Sequence, residues 1–107
     1  MQIVQLEAFK KEIADFPLET REDILSLVER FVKGERLNNT EFKTFKIDKN
    51  TKIMEFKVKD HRGNWRAIST MMQRKYLVFV YAFHKKSQEL PEKDKDVIRN
   101  RIRRIEL

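Results

Sequence analysis

Lys57, Arg66, Lys85 and Lys86 fall on adjacent candidate strands or at their ends. Glu55 precedes Lys57 by two residues and so shares its side of an alternating segment. Cations held in this way neutralise the charge that builds on a phosphate under attack. Crowding also lowers a lysine pKa, because each cation disfavours its neighbour's charged form, and a neutral lysine can accept a proton. Arg66 and Lys86 are the expected phosphate and transition-state contacts, and Lys57 is a base or a second cation. Glu55 either orients one of them or is itself the base. His84 is a further candidate, since histidine is the side chain that exchanges protons most readily near neutral pH. With two His and no Cys, a metal cage built from protein ligands alone is poorly supported. No cofactor is expected.

Each of these residues also has a purely structural reading. Arg66 can pair with Glu55 across a hairpin. Lys85 and Lys86 can guard a strand end against unwanted sheet pairing, and Lys57 and Lys59 can be the polar face of a half-buried strand. His84 directly follows a buried strand, where one histidine is as often structural. His61 sits in a turn and is expected to be exposed and inert. Phe83 and Tyr81 fit core packing, and Met71 and Met72 fit core filling.

The elements that would position these side chains follow from the spacing of apolar residues. Leu6, Phe9, Ile13 and Phe16 recur at helical intervals, and Pro17 ends that helix. Ile24, Leu27, Val28 and Phe31 make a second helix, with Gly34 placed as its C-terminal cap. From residue 41 the period changes to two. Phe42, Phe45 and Ile47 precede a polar turn, and Ile53–Lys59 sets Met54, Phe56 and Val58 against Glu55, Lys57 and Lys59. A turn at Asp60–Asn64, with Gly63 free to take positive φ, leads into a strand over Trp65–Met72. Gln73-Arg74-Lys75 turns the chain again. Tyr76–Phe83 is nearly all apolar, which predicts a central strand covered on both faces. Pro91 opens a last helix with Val97, Ile98, Ile102 and Ile105 inward. The expected fold is α+β: two N-terminal helices, an antiparallel sheet of three to four strands and a C-terminal helix, in one domain over residues 1–107.

Composition limits the function. The chain has 107 residues, 40% of them apolar and 38% charged, which is enough apolar surface to fold and argues against wholesale disorder. Its longest apolar run, Tyr76–Phe83, is far short of the ~20 residues that span a bilayer. No membrane association or secretion signal is expected, and the absence of Cys fits a reducing cytoplasm. The charge is uneven. Residues 1–40 carry six basic and eight acidic side chains, a net of −2, whereas residues 41–107 carry 18 and nine, a net of +9. A basic half on a near-neutral half points to a polyanion, most often nucleic acid.

The segments Met54-Glu55-Phe56-Lys57-Val58, Gly63-Asn64-Trp65-Arg66-Ala67 and Phe83-x-Lys85-Lys86-x-Gln88-x-x-Pro91 resemble the HigB-type and phage-derived branch of the RelE/ParE toxin superfamily. The similarity spans roughly residues 18–104. Three features depart from the pattern. Lys57 stands where the family has Arg and so lacks the bidentate fork. The N-terminal strand is reduced at best to Gln2-Ile3-Val4, and no Tyr follows the Lys-Lys pair. The resemblance implies a RelE-like, compact microbial-RNase-type fold and cleavage of mRNA on the translating ribosome. It also implies a cognate antitoxin, expected to be of helix-turn-helix type, that masks the toxin. Lys57, Arg66, Lys86, Glu55 and His84 are then the candidate catalytic residues of a metal-independent endoribonuclease. Lys59, Lys85, Trp65, Gln88, Arg99 and Arg103 are candidate contacts to mRNA or ribosomal RNA. Trp65 would stack on a base, and the arginines form a basic face on the last helix. The other reading is a non-catalytic toxin of the same fold that binds nucleic acid or protein, as ParE-like gyrase poisons do.

Overall fold

The computed structural model of the protein describes residues 1–85 and 89–107. Its elements run β1 (Gln2–Gln5), α1 (Glu7–Ala14), α2 (Leu18–Val32), β2 (Phe42–Asp48), β3 (Thr51–Asp60), β4 (Gly63–Met72), β5 (Tyr76–Lys85) and α3 (Glu92–Arg103). The helical hairpin arises as its sequence dictates. Pro17 has no amide hydrogen to extend α1 and instead stands at the N-cap of α2. Thr20, Ile24, Leu27 and Val28 form the buried stripe of α2. The helix ends in a Schellman motif, in which the Glu35 amide donates to the Arg30 carbonyl and the Gly34 amide to that of Phe31. Gly34 takes φ +89° there, a conformation open to glycine without strain.

The sheet has five strands in the order β1-β5-β4-β3-β2, one more than the upper expectation of four. It is also mixed rather than wholly antiparallel. β1 pairs parallel with β5, Gln2 beside Tyr76 through Gln5 beside Phe79, while every other pair is antiparallel. Four residues carry little pattern, so the sequence predicts no more than a vestigial strand at this position. Its stability comes from pairing with a strand over 70 residues away. β5 is an interior strand covered on both faces, as its apolar run predicts, although the middle position belongs to β4.

One face of the sheet packs Phe56, Val58, Ala67, Leu77 and Phe79 against Phe9 of α1, Phe16 just beyond it and Ile24, Leu27 and Val28 of α2. The other face packs Ile53, Ile68, Val78 and Val80 against Ile98 of α3. Between these layers, β5 carries a bulge. Ile68 of β4 opposes Tyr81 while Ser69 opposes Phe79, so Val80 has no opposite number. An extra residue reverses the inward–outward alternation beyond it. Val78, Val80 and Tyr81 therefore all lie on the α3 side, and from Ala82 onward even-numbered residues face α1 and α2. Two charged side chains clamp the bulge at the outer edge of β5. Glu12 of α1 accepts from the Ala82 amide at 3.2 Å, and Arg101 of α3 donates to the Val80 carbonyl at 2.8 Å. Glu12 and Arg101 also pair with each other at 2.8 Å.

Candidate active site

Beyond the end of the sheet that α3 covers, the same face carries charge. Strand register fixes the arrangement: Lys43 of β2 lies opposite Glu55, Lys57 opposite Arg66, Arg66 opposite Phe83, and Asn64 opposite Lys85. The Asp60–Gly63 turn makes the β3–β4 part of this alignment, with Gly63 at φ +136°. A side chain at residue 63 would also collide with the His84 ring, where an added Cβ would lie 2.1 Å from Nε2.

Glu55 is the floor of the site and is 4% exposed. Arg66 leans on it, Nε to Oε2 at 3.3 Å, and its Nη1 donates to the Trp65 carbonyl at 3.2 Å. The contact with Glu55 is an ion pair rather than an aligned hydrogen bond, because the buried Nε–H has no acceptor in its line. Burial pushes the Arg66 pKa down, and the Glu55 charge opposes that shift. Lys57 is half-buried, and its ammonium donates to the Asn39 carbonyl in the loop before β2. That loop is held by Asn38, whose side-chain oxygen accepts from the Thr40 and Glu41 amides at 2.9 and 3.1 Å. The Lys57 pKa is lowered, first by burial. Glu55 works against the shift, while Arg66, Lys43 and Lys85 add to it. The lowering expected from a cation cluster is present, with desolvation as the larger cause.

Beside this group lies a cleft of about 370 Å³ lined by Lys43, Phe45, Lys46, Glu55, Lys85, Glu89, Leu90 and Lys95. Its four lysines outnumber its two glutamates, so the cleft suits an anion. Lys43, Lys46 and Lys95 are site residues that sequence reasoning missed. Lys43 and Lys46 follow Phe42 and Phe45 at a spacing of three, which gives no period-two signal of the face that either lysine takes. Their neighbours become evident only once β2 is registered on β3.

Other candidates lie elsewhere. Lys59 shares the face of Lys57, nearer the hairpin turn, and is exposed. His84 and Trp65 are on the opposite face, where the two rings stack at 4.2 Å and the indole packs against Phe16 at 4.8 Å. Unbroken alternation along β5 would put His84 on the face of Arg66 and Lys57, and the bulge at Val80 reverses it. The Trp65 indole N–H donates to Asp60 at 3.1 Å, and the Thr20 hydroxyl donates to the same carboxylate at 2.8 Å. Trp65 is thus tied into the seam between α2 and the hairpin. Arg99 uses Nε, Nη1 and Nη2 on Asp48, Asp96 and the Ile47 carbonyl, which locks α3 to the end of β2. Arg103 is exposed on α3. Tyr81 donates to Asp94 at 2.6 Å, and burial together with that carboxylate raises its pKa. Lys86 and Gln88 lie outside the described residues.

Among the described residues, no group of three or more His, Asp or Glu is arranged to hold a metal ion, and no helix is long and apolar enough to cross a membrane. The arrangement can bind a phosphodiester, neutralise charge on it and offer a lysine of lowered pKa beside it. No curated protein matches the chain significantly. A family comparison does match. The family is described as phage derived protein Gp49-like (DUF891), it matches residues 11–103, and it is associated with toxin–antitoxin toxins. That match begins within α1 and takes in every element from α2 to α3, so the chain belongs to the Gp49-like family of phage-derived proteins.

Proposed function

We propose that this protein is the toxin of a type II toxin–antitoxin pair, of the HigB-like branch of the RelE/ParE superfamily, and that it cleaves mRNA on the ribosome without a metal ion. The observation that carries this reading is the adjacency of Lys57 and Arg66 above buried Glu55, which also lines the neighbouring lysine-rich cleft. Cleavage of RNA by its own 2′-hydroxyl forms a 2′-O–P bond and breaks the P–O5′ bond, leaving a 2′,3′-cyclic phosphate. The 2′-hydroxyl proton passes to a base, and the departing 5′-oxygen takes one from an acid. Lys57 is suited to the first task in its neutral form, which its lowered pKa makes more accessible. The ammonium of Lys85, or of its chain neighbour Lys86, is suited to the second. Arg66 stabilises the phosphorane, and Glu55 holds the guanidinium in place. Lys43, Lys46 and Lys59 are suited to the flanking phosphates. Messenger RNA in the decoding site and ribosomal RNA are the proposed polyanionic partners.

A second reading draws on the Glu55–Arg66 ion pair, which a purely structural role also explains. In it, the basic face binds nucleic acid or protein without chemistry, as in a ParE-like gyrase poison. Induced expression without a partner separates the two. An mRNA-cleaving toxin stops radiolabelled methionine incorporation within minutes, whereas a gyrase poison leaves early translation running and damages DNA first. Undiminished incorporation alongside abundant folded protein contradicts the proposal.

A further inference from the structure

A surface on the far side of the sheet from Glu55 and Arg66 has features that the cleavage chemistry does not use. A groove of about 240 Å³ runs between β1, α1 and α2, with Ile3, Phe9, Ile13 and Val28 among its walls and Leu25 at its lip. Ile3 and Leu25 are 40% and 55% exposed, so both present apolar surface to solvent at the same opening. Arg21 lines the groove as well. Its Nε is buried with no hydrogen-bond partner, and among the described residues it makes no ion pair. A buried donor left unpaired beside an apolar groove invites an acceptor from outside the chain.

The surface continues along α2. Leu18, Leu25 and Val32 are 60%, 55% and 36% exposed and recur every seven residues, which puts them in one row along the helix. At about 1.5 Å per residue, that row is about 21 Å long, or nearly four turns of a facing helix. Arg21 and Val28 border the row on the groove side. Glu22 and Glu29 are exposed and border it on the other. Charge therefore changes sign across the row: cation in the groove, apolar ridge, then anions outside.

We propose that this groove and ridge form a docking surface for an amphipathic helix of a partner protein. The helix carries one carboxylate within its apolar stripe, for Arg21, and lysine or arginine along one flank, for Glu22 and Glu29. A second copy packed antiparallel through α2 does not fit. Two α2 helices packed antiparallel about Leu25 would set Glu22 of one against Glu29 of the other, like charge on like. Membership in a toxin–antitoxin family implies an antitoxin partner, and such a helix is the chemistry this surface asks of it. The groove and ridge would take such a helix whether or not the opposite face cuts RNA.

The test is selection from a display library of single helices randomised along one face, using the whole protein as bait. Helices enriched on the wild type are expected to combine an apolar stripe with a central Asp or Glu and flanking Lys or Arg. Their binding should weaken at least about tenfold on Leu25→Glu and on Arg21→Gln, as for central contacts of an interface. Arg21→Glu should favour helices whose central acid is exchanged for lysine. Circular dichroism keeps each variant interpretable, and Leu25→Glu changes an exposed side chain. Enrichment of helices without the central acid overturns the proposal. So does equal binding to Leu25→Glu, or no enrichment above that variant. A wild-type dimer in sedimentation that Leu25→Glu dissolves also overturns it, by giving the surface to a second copy.

Discussion

Arg66 has two roles whose loss can be separated by experiment. It neutralises buried Glu55, and in the proposed reaction it neutralises the phosphorane. Arg66→Ala should lower cleavage about 10²–10³-fold, the effect of losing one preorganised transition-state donor. It should also destabilise the protein by about 3–5 kcal/mol, because it strands a carboxylate under the sheet surface. The Arg66 side chain is only 11% exposed, so its loss is not that of a solvated surface cation. Replacing both partners, as Glu55→Met/Arg66→Met, should restore most of the lost stability and none of the cleavage. A double variant as unstable as Arg66→Ala would mean that Arg66 supports the fold through other contacts. Lys57→Arg tests the base. Arginine keeps the charge but does not deprotonate. The wild-type rate should rise with pH toward the lowered Lys57 pKa, because the base acts in its neutral form. In Lys57→Arg the rate should fall and that rise should disappear. An unchanged rate and profile would reduce Lys57 to a fixed cation. The adjacency of Lys57 and Arg66 was legible in the sequence, because the alternation of Ile53–Lys59 and the turn at Gly63 fix both face and register. Lys43 was not, because its place opposite Glu55 depends on how a separate strand registers on β3.

At the scale of elements, the bulge in β5 decides which side chains meet. It sends Lys85 to the cationic face and His84 to the face of Trp65 and Phe16. One extra residue in a nearly uniform apolar run leaves no trace in composition or period, so the sequence offered no means of locating it. β1 was faint for a related reason, since the strand it pairs with is distant in the chain. The helical hairpin, by contrast, was readable from Pro17, Gly34 and the stripe between them. The Glu12–Arg101 clamp makes the bulge testable. Arg101→Met should destabilise the fold by about 1–3 kcal/mol, as for a buried acceptor left unpaired, and should reduce cleavage although Arg101 is remote from Lys57. Denaturant melts and cleavage rates on the same preparation check both effects. A loss of stability with full activity would separate the bulge from the site. The seam between α2 and the hairpin responds to acid. Burial works against the charge of Asp60, but bonds from Thr20, Trp65 and the Arg62 amide outweigh it and hold its pKa at about 2, below the ordinary 3.8. A carboxyl lowered on folding stabilises the fold above its ordinary pKa, and that contribution is lost as pH falls from 3.8 toward about 2. Trp65 fluorescence should change over that interval in the wild type, and Asp60→Asn should abolish the transition. A transition that persists in Asp60→Asn would assign it to another carboxyl.

For the whole molecule, the mixed sheet separates two surfaces. The Lys57–Arg66 face lies on the side of α3, and the apolar groove lies on the side of α1 and α2. The excess of basic residues after residue 40 follows from this layout, since β2 to β5 and α3 supply the cationic face while α1 and α2 supply the other layer. Charge asymmetry along the chain therefore points to the same elements that carry the candidate site, although it gives only a class of partner and not a reaction. The central claim is that the cationic face cuts mRNA. The measurement that tests it most directly is the mapping of new RNA ends on ribosomes translating a defined mRNA, with the wild type and with folded Glu55→Met/Arg66→Met. The expected result is new ends within the ribosome-covered coding sequence, carrying 2′,3′-cyclic phosphate on the upstream fragment, for the wild type only. Intact mRNA with the wild type, or the same ends with the double variant, would contradict it.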